Sequence, residues 1–191
     1  MKVSREQAAA SRERILDAAT RLFRERGFDG IGVADLMREA GLTHGGFYGH
    51  FASKEELMAK ACERTLAKSA ARWEALQVRE GREALAAMAD SYLSTRHRDN
   101  PGAGCIVAAA GEEAARHGPL VRRAFTQGVK SLLDILARVM PGGTRAARRE
   151  KASAAFASMV GAIVLARAVD DPELSLQILR AVRRSIDPAA L

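Results

Sequence analysis

The residues best suited to chemistry with a partner lie between Thr43 and Lys54, in the run THGGFYGHFASK. The hydroxyl of Tyr48, the imidazole of His50 and the ammonium of Lys54 are donors suited to phosphate oxygens. Phe47 and Phe51, four residues apart, share one helical face and point to a core. The opposite face carries His44, Gly45, Gly46, Tyr48, Gly49 and His50. Three glycines in about one and a half turns cost roughly 2 to 3 kcal/mol relative to alanine, so that face answers to something other than helix propensity. Close backbone approach is the natural reason. A helix free of bulk on one side can enter a groove about 12 Å wide, with its N-terminal amides near phosphates.

Other reactive groups form weaker sets. Cys105 follows Asn-Pro-Gly-Ala-Gly and opens a helix of small residues, where a thiol can act as an electrophile or oxidant sensor, or simply as a small buried hydrophobe. Cys62 lies inside a helical pattern and reads as core, and two cysteines make no disulfide framework. His44, His50, His97 and His117 have no metal-site spacing. Glu113 and His117 are four apart, not the three of a di-iron helix motif, and no second copy exists. Neither a nucleophile with its base nor a phosphate-cradling loop is present, so no metal, no cofactor and no enzymatic activity are expected.

Helices must position these groups. Ile15, Ala18, Ala19, Leu22 and Phe23 form a stripe at helical spacing from Ser11 to about Arg26, ended by Gly27, with residues 1–10 read as a loose basic arm or a frayed extension of that helix. Phe28 is expected to tuck under the next elements. Leu36, Met37 and Ala40 mark a short helix closed by Gly41; Leu42 is the inward turn residue, and Thr43 is the expected N-cap of a second helix reaching about His50. This is a helix-turn-helix over about residues 33–51. Ser53 and Glu56 form a capping box opening a long helix to about Gln77. A break at Glu80–Gly81 precedes helices over about 82–98, 104–117, 119–140, 145–169 and 172–186, separated by Pro/Gly turns.

The 191 residues suffice for one large or two small domains, and a composition 48% hydrophobic but only 5% aromatic, without alternating β-branched runs, reads as all-α. No apolar run of about 20 residues and no signal-peptide h-region is visible, so a cytoplasmic protein without a membrane partner is expected. The net charge of +7 is uneven: residues 1–64 carry 11 Lys/Arg against 10 Asp/Glu, residues 65–191 carry 19 against 13. Bulk charge therefore supports a nucleic-acid partner only weakly. Trp73, Met88, Tyr92, Phe125 and Leu132, with Cys105, could wall a ligand pocket as readily as an ordinary core. The last two helices carry wide apolar surfaces, including Phe156, Met159, Val160, Ile163, Leu176, Leu179 and Val182, which need a partner.

From Ser11 to Ala71 the chain resembles the DNA-binding domain of the TetR/AcrR family of bacterial transcriptional regulators, through ILDAATRLFRERGFDGIGV, AGL, FYGHF and SKEEL in one order and register. The resemblance implies an all-α protein: an N-terminal three-helix helix-turn-helix DNA-binding domain (11–71) plus a C-terminal helical ligand-binding and dimerisation domain (72–191). It implies that Thr43, His44, Gly45 and Gly46 face bases or adjacent backbone and that Tyr48, His50 and Lys54 hold phosphates of double-stranded DNA. It implies a homodimer formed by the last two helices as a four-helix bundle, a palindromic operator, and a repressor released by an unknown small-molecule effector in the region of Trp73, Met88, Tyr92, Cys105, Phe125 and Leu132. Gly32 and Gly46 depart from the family pattern, which favours hydroxyl residues there. Two other readings are a thiol-sensing regulator acting through Cys105, and an all-α small-molecule binding protein or enzyme without DNA binding.

Overall fold

The structure, a computed structural model, describes residues 5–77 and 81–186. Among them are nine α-helices and no strand: α1 (Arg5–Arg26), α2 (Val33–Glu39), α3 (Lys54–Leu76), α4 (Gly81–Tyr92), α5 (Thr95–Asp99), α6 (Ile106–Ala114), α7 (Pro119–Val139), α8 (Arg145–Ala168) and α9 (Pro172–Ser185). Single 3-10 segments follow α2 (His44–Gly49) and α5 (Pro101–Ala103). The all-α expectation is met. The break expected at Glu80 lies outside the described residues.

Helix α1 begins earlier than its apolar stripe suggested. Of the two readings of the N-terminal residues, the helical extension holds for Arg5–Ala10, and residues 1–4 lie outside the described residues. Gly27 ends α1 with φ +74°, and Gly41 ends the α2 turn with φ +67°, both left-handed conformations that favour glycine. The capping box at α3 is present, with a shifted return bond. Ser53 Oγ accepts from Glu56 N at 3.0 Å, while the Glu56 carboxylate accepts from Ala52 N at 2.7 Å. Asp171 caps α9 by accepting from Glu173 and Leu174 N.

The helix expected over 82–98 is two. Ser94 caps α5 by accepting from His97 N at 3.1 Å, and His97 Nδ1 turns back to the carbonyl of Tyr92 at 2.6 Å, so the chain restarts instead of continuing α4. Helix α6 is shorter than expected and kinked at Ala110 (φ −140°, ψ 16°).

Helix α3 crosses the expected boundary at residue 71 without a break and packs along α7. That packing is close because position 128 has no side chain. A Cβ there would stand 2.6 Å from Leu66 Cβ, a distance that only backbone movement can relieve. Gly128→Ala should therefore lower stability by about 1–3 kcal/mol despite its better helix propensity, measured by urea unfolding. An unchanged midpoint would show that α3 and α7 can separate freely.

Helix α8 is long and apolar enough, by length and composition alone, to cross a membrane, contrary to the expectation that no such segment exists. One face of it serves the protein's own core. Ala152, Ala155, Phe156, Met159, Ala162, Ile163 and Ala166 are buried within the chain.

Candidate nucleic-acid interface and effector cavity

The turn after α2 sets the geometry of the first site. Leu42 N donates to Met37 O at 2.8 Å, bringing the chain back, and Phe47 and Phe51 are buried and stacked at 5.9 Å. Between these anchors His44–Gly49 forms a 3-10 segment, not the α-helix expected. Three glycines among six residues explain the loss. Thr43 occupies the N-cap position in extended conformation but makes no side-chain cap bond, which corrects its expected role; Gly32 likewise leaves α2 without a side-chain cap.

The glycines of this segment have no internal reason to be glycine. A Cβ at Gly45 or Gly49 would meet nothing within 4 Å, and one at Gly46 would make only ordinary contacts with Met37 and Thr43. None of the three has a positive φ. Tyr48 is 70% exposed with its ring edge against Phe47, while Thr43 and His44 are exposed and His50 is half-buried. Lys54 is partly committed within the chain. Its Nζ donates to the carbonyl of Phe28 at 2.6 Å, leaving two donors for a phosphate. Arg12 lies over the Phe51 ring at 4.4 Å and pairs with Glu56, and Arg14 reaches the edge of the turn beside Gly41.

Phe28 does not tuck under the helix-turn-helix. Its ring packs edge-on to Phe23 and His117 at 5.3 Å and to Phe125 at 6.3 Å, joining α1 to α7. The carboxylate of Glu113 on α6 accepts from Phe28 N at 2.6 Å and Asp29 N at 3.2 Å. Sequence reading considered Glu113 only as a metal ligand. Its proximity to Asp29 and His117 follows instead from a cap on the end of α1.

The second site is a cavity of about 590 Å³ between α3, α4, α7 and the 94–105 segment. Trp73, Tyr92, Cys105 and Leu132 line it, as expected for a pocket; Met88 and Phe125 do not, being buried in the packing beside it. Arg72, Arg96, His97 and Ser69 also line it and were missed, since polar residues divided between two separate helices give no periodic signal. The tyrosine hydroxyl is held well above its ordinary titration range by burial; it faces Cys105 but has no partner in hydrogen-bonding geometry. Burial also pushes the Cys62 thiol up to about 12, consistent with a core role.

His97 organises the cavity wall. Its Nδ1 faces a carbonyl and so must donate, while Nε2 accepts from Cys105 N at 2.9 Å, which fixes a neutral ring with the proton on Nδ1. Desolvation accordingly holds its pKa below the ordinary value of 6.5. Between its folded and unfolded values only the unfolded chain carries the proton, so this stabilisation is present above about pH 6.5 and is lost as pH falls through the folded value. Denaturation midpoints should drop on acidification below about pH 6.5, and His97→Gln should reduce that slope; parallel pH profiles for both proteins would refute the assignment.

On α8 and α9, Phe156, Met159, Ile163 and Leu179 are buried by the chain's own helices, and Val160, Leu176 and Val182 are half-buried. The first four thus leave no free face for a partner, because the intrachain core already covers them. The apolar residues left open are Val164 (43%), Leu165 (55%) and Leu174 (40%).

The sequence pattern of the bacterial regulatory proteins of the tetR family matches residues 15–61. The chain is 42% identical over 52 residues to the uncharacterized HTH-type transcriptional regulator YerO of Bacillus subtilis, covering 27% of this chain and 18% of that protein. It is 28% identical over 136 residues to the HTH-type transcriptional repressor NemR of Escherichia coli, covering 70% of this chain and 68% of that one. Among solved structures, reduced E. coli NemR superposes with a TM-score of 0.79 at 22% identity (92% and 94% of the two chains). A TetR transcriptional regulator from Legionella pneumophila superposes with 0.80 at 20% identity (99% of each). At such identity the structural likeness establishes the fold.

Proposed function

We propose that this chain is a member of the TetR family of bacterial transcriptional regulators, a DNA-binding, ligand-responsive repressor of the cytoplasm that acts as a homodimer on a palindromic operator. The observation that carries the DNA reading is the exposed Gly45–Gly49 turn, whose glycines nothing inside the chain requires. Thr43, His44, Gly45 and Gly46 face base edges and backbone, and Tyr48, His50 and Lys54 hold phosphates. Residues 11–71 form the reading domain and 72–191 the effector and dimer domain. A second copy covers Val164, Leu165 and Leu174, with help from Val160, Leu176 and Val182 at the edges. Two reading segments then address successive major grooves about 34–36 Å apart. The 590 Å³ cavity takes the effector, which loosens DNA binding only by favouring one dimer geometry over the other.

Selection of genomic fragments by the purified protein at about 0.15 M salt, where nonspecific phosphate attraction is weakened, tests this. Recovery of a two-fold symmetric site is the expected result. Background recovery before and after refolding would overturn it. One observation favours a thiol trigger as a second reading, namely that Cys105 forms part of the cavity wall. Oxidant-induced release of DNA that persists in Cys105→Ser would remove it.

A further inference from the structure

Charge around the cavity is one-sided. Arg72 and Arg96 stand in its lining, and no aspartate or glutamate does. Neither arginine forms an ion pair among the described residues. Two more guanidiniums stand behind the same wall. Arg24 donates to Gly104 O at 3.2 Å, and Arg167 donates to His97 O at 2.7 Å and Arg98 O at 3.0 Å. These contacts use neutral carbonyls; Glu25 acts on Arg24 and Asp99 on Arg167 from outside the lining, so the unpaired charge at the cavity surface is that of Arg72 and Arg96, and Arg24 and Arg72 are close enough to repel. His97, neutral and bonded at both ring nitrogens, offers no counter-charge. The remaining wall is apolar, formed by Trp73, Leu76, Leu132 and the ring of Tyr92.

We infer that the effector is an amphipathic organic anion: a carboxylic acid whose oxygens meet Arg72 and Arg96 and whose aromatic or branched body lies against Trp73, Leu76 and Leu132. The inference rests on the regulator reading only in taking this cavity as the effector site. A planar guanidinium binds a carboxylate through two parallel N–H donors, a recognition that neither an alcohol nor an amine can reproduce. A cation entering here meets like charge and finds no carboxylate. The cavity volume falls within the range of small-molecule sites.

Trp73 is the sole tryptophan of the chain, so its fluorescence reports occupancy directly. The probes are 4-phenylbutyrate, 4-phenylbutan-1-ol and 4-phenylbutylamine, which share one body and differ in the charge of the head. The expected result is quenching by the carboxylate with at least about tenfold higher affinity than the alcohol, and the weakest quenching by the amine. In Arg72→Ala/Arg96→Ala, both exposed positions, carboxylate affinity should fall to that of the alcohol while alcohol affinity stays unchanged. Equal affinities for the three heads, preference for the amine, or no quenching by any of them would overturn the inference. Anisotropy of a labelled operator, recorded separately, keeps the two readings distinct. Charge-blind binding with intact operator recognition sinks the ligand class alone, whereas failure to bind any operator sinks the regulator reading and leaves the fluorescence ranking to decide the ligand class.

Discussion

Gly45→Leu should abolish operator recognition, with a loss on the order of 100-fold or more, while the protein melts at or above the wild-type temperature. The two effects have opposite signs because they have different origins. Inside the chain a side chain at 45 meets open space, and leucine exceeds glycine in helix propensity by roughly 0.5–1 kcal/mol, so the fold gains slightly. Outside, four carbons stand where the backbone must approach a groove wall, and losing the short contacts around them costs about 1.4 kcal/mol for each tenfold of affinity. Operator titration by anisotropy together with thermal melts checks both halves. Wild-type affinity in the leucine variant would mean that the Gly45–Gly49 face is not the DNA surface. A lowered melting temperature would mean that the glycine serves the fold after all.

Phe28→Ala should have the largest effect on stability. The ring is fully buried and packs edge-on to three aromatic rings from α1, the end of α6 and α7. Removing it leaves a cavity among α1, the end of α6 and α7, a change that costs about 3–5 kcal/mol. For a chain of this size that corresponds to a melting temperature lower by on the order of 10 °C. Glu113→Ala is the informative companion. It removes the acceptor of the Phe28 and Asp29 amides but keeps the ring, so it should cost less in stability, about 1–3 kcal/mol, and should loosen α6 from the end of α1. A melting curve for Phe28→Ala within about 2 °C of wild type would show that this aromatic junction carries little energy.

The helical class, most helix limits, the two left-handed glycines and the cap at Ser53 were legible because each depends on neighbours within four residues. What was not legible depends on distant partners. Phe28 reads as one more apolar residue, and only the three-dimensional arrangement assigns it to α7 rather than to the turn it precedes. Glu113 was weighed only as a metal ligand and set aside on spacing, whereas its partners are two amides 84 and 85 residues away. The stop at Ser94 arises from a serine and a histidine that compete locally with an otherwise good helix, a contest that periodicity does not register. At the candidate site the exposure of Tyr48 and the burial of Phe47 followed from spacing. The engagement of Lys54 by Phe28 did not, because it depends on how the loop after α1 closes, and the 3-10 form of the segment was missed although its three glycines signal it. The apolar residues on α8 announced burial without saying against what: Phe156, Met159 and Ile163 face inward, while Val164 and Leu165 stay open.

The contacts that α1 makes beyond its own bundle bear on how such proteins diversify. Arg24 reaches the carbonyl of Gly104 in the cavity wall, and the amides that follow the helix are held by Glu113. The operator-reading half is therefore not a cassette that can be exchanged between relatives at the residue-71 boundary. A hybrid carrying this chain's first three helices on another protein's second half would bring a guanidinium and two amides to a seam that must offer them acceptors. To join cleanly it must keep a carboxylate at the place of Glu113 and a main-chain carbonyl within reach of Arg24, so the seam travels with the first three helices.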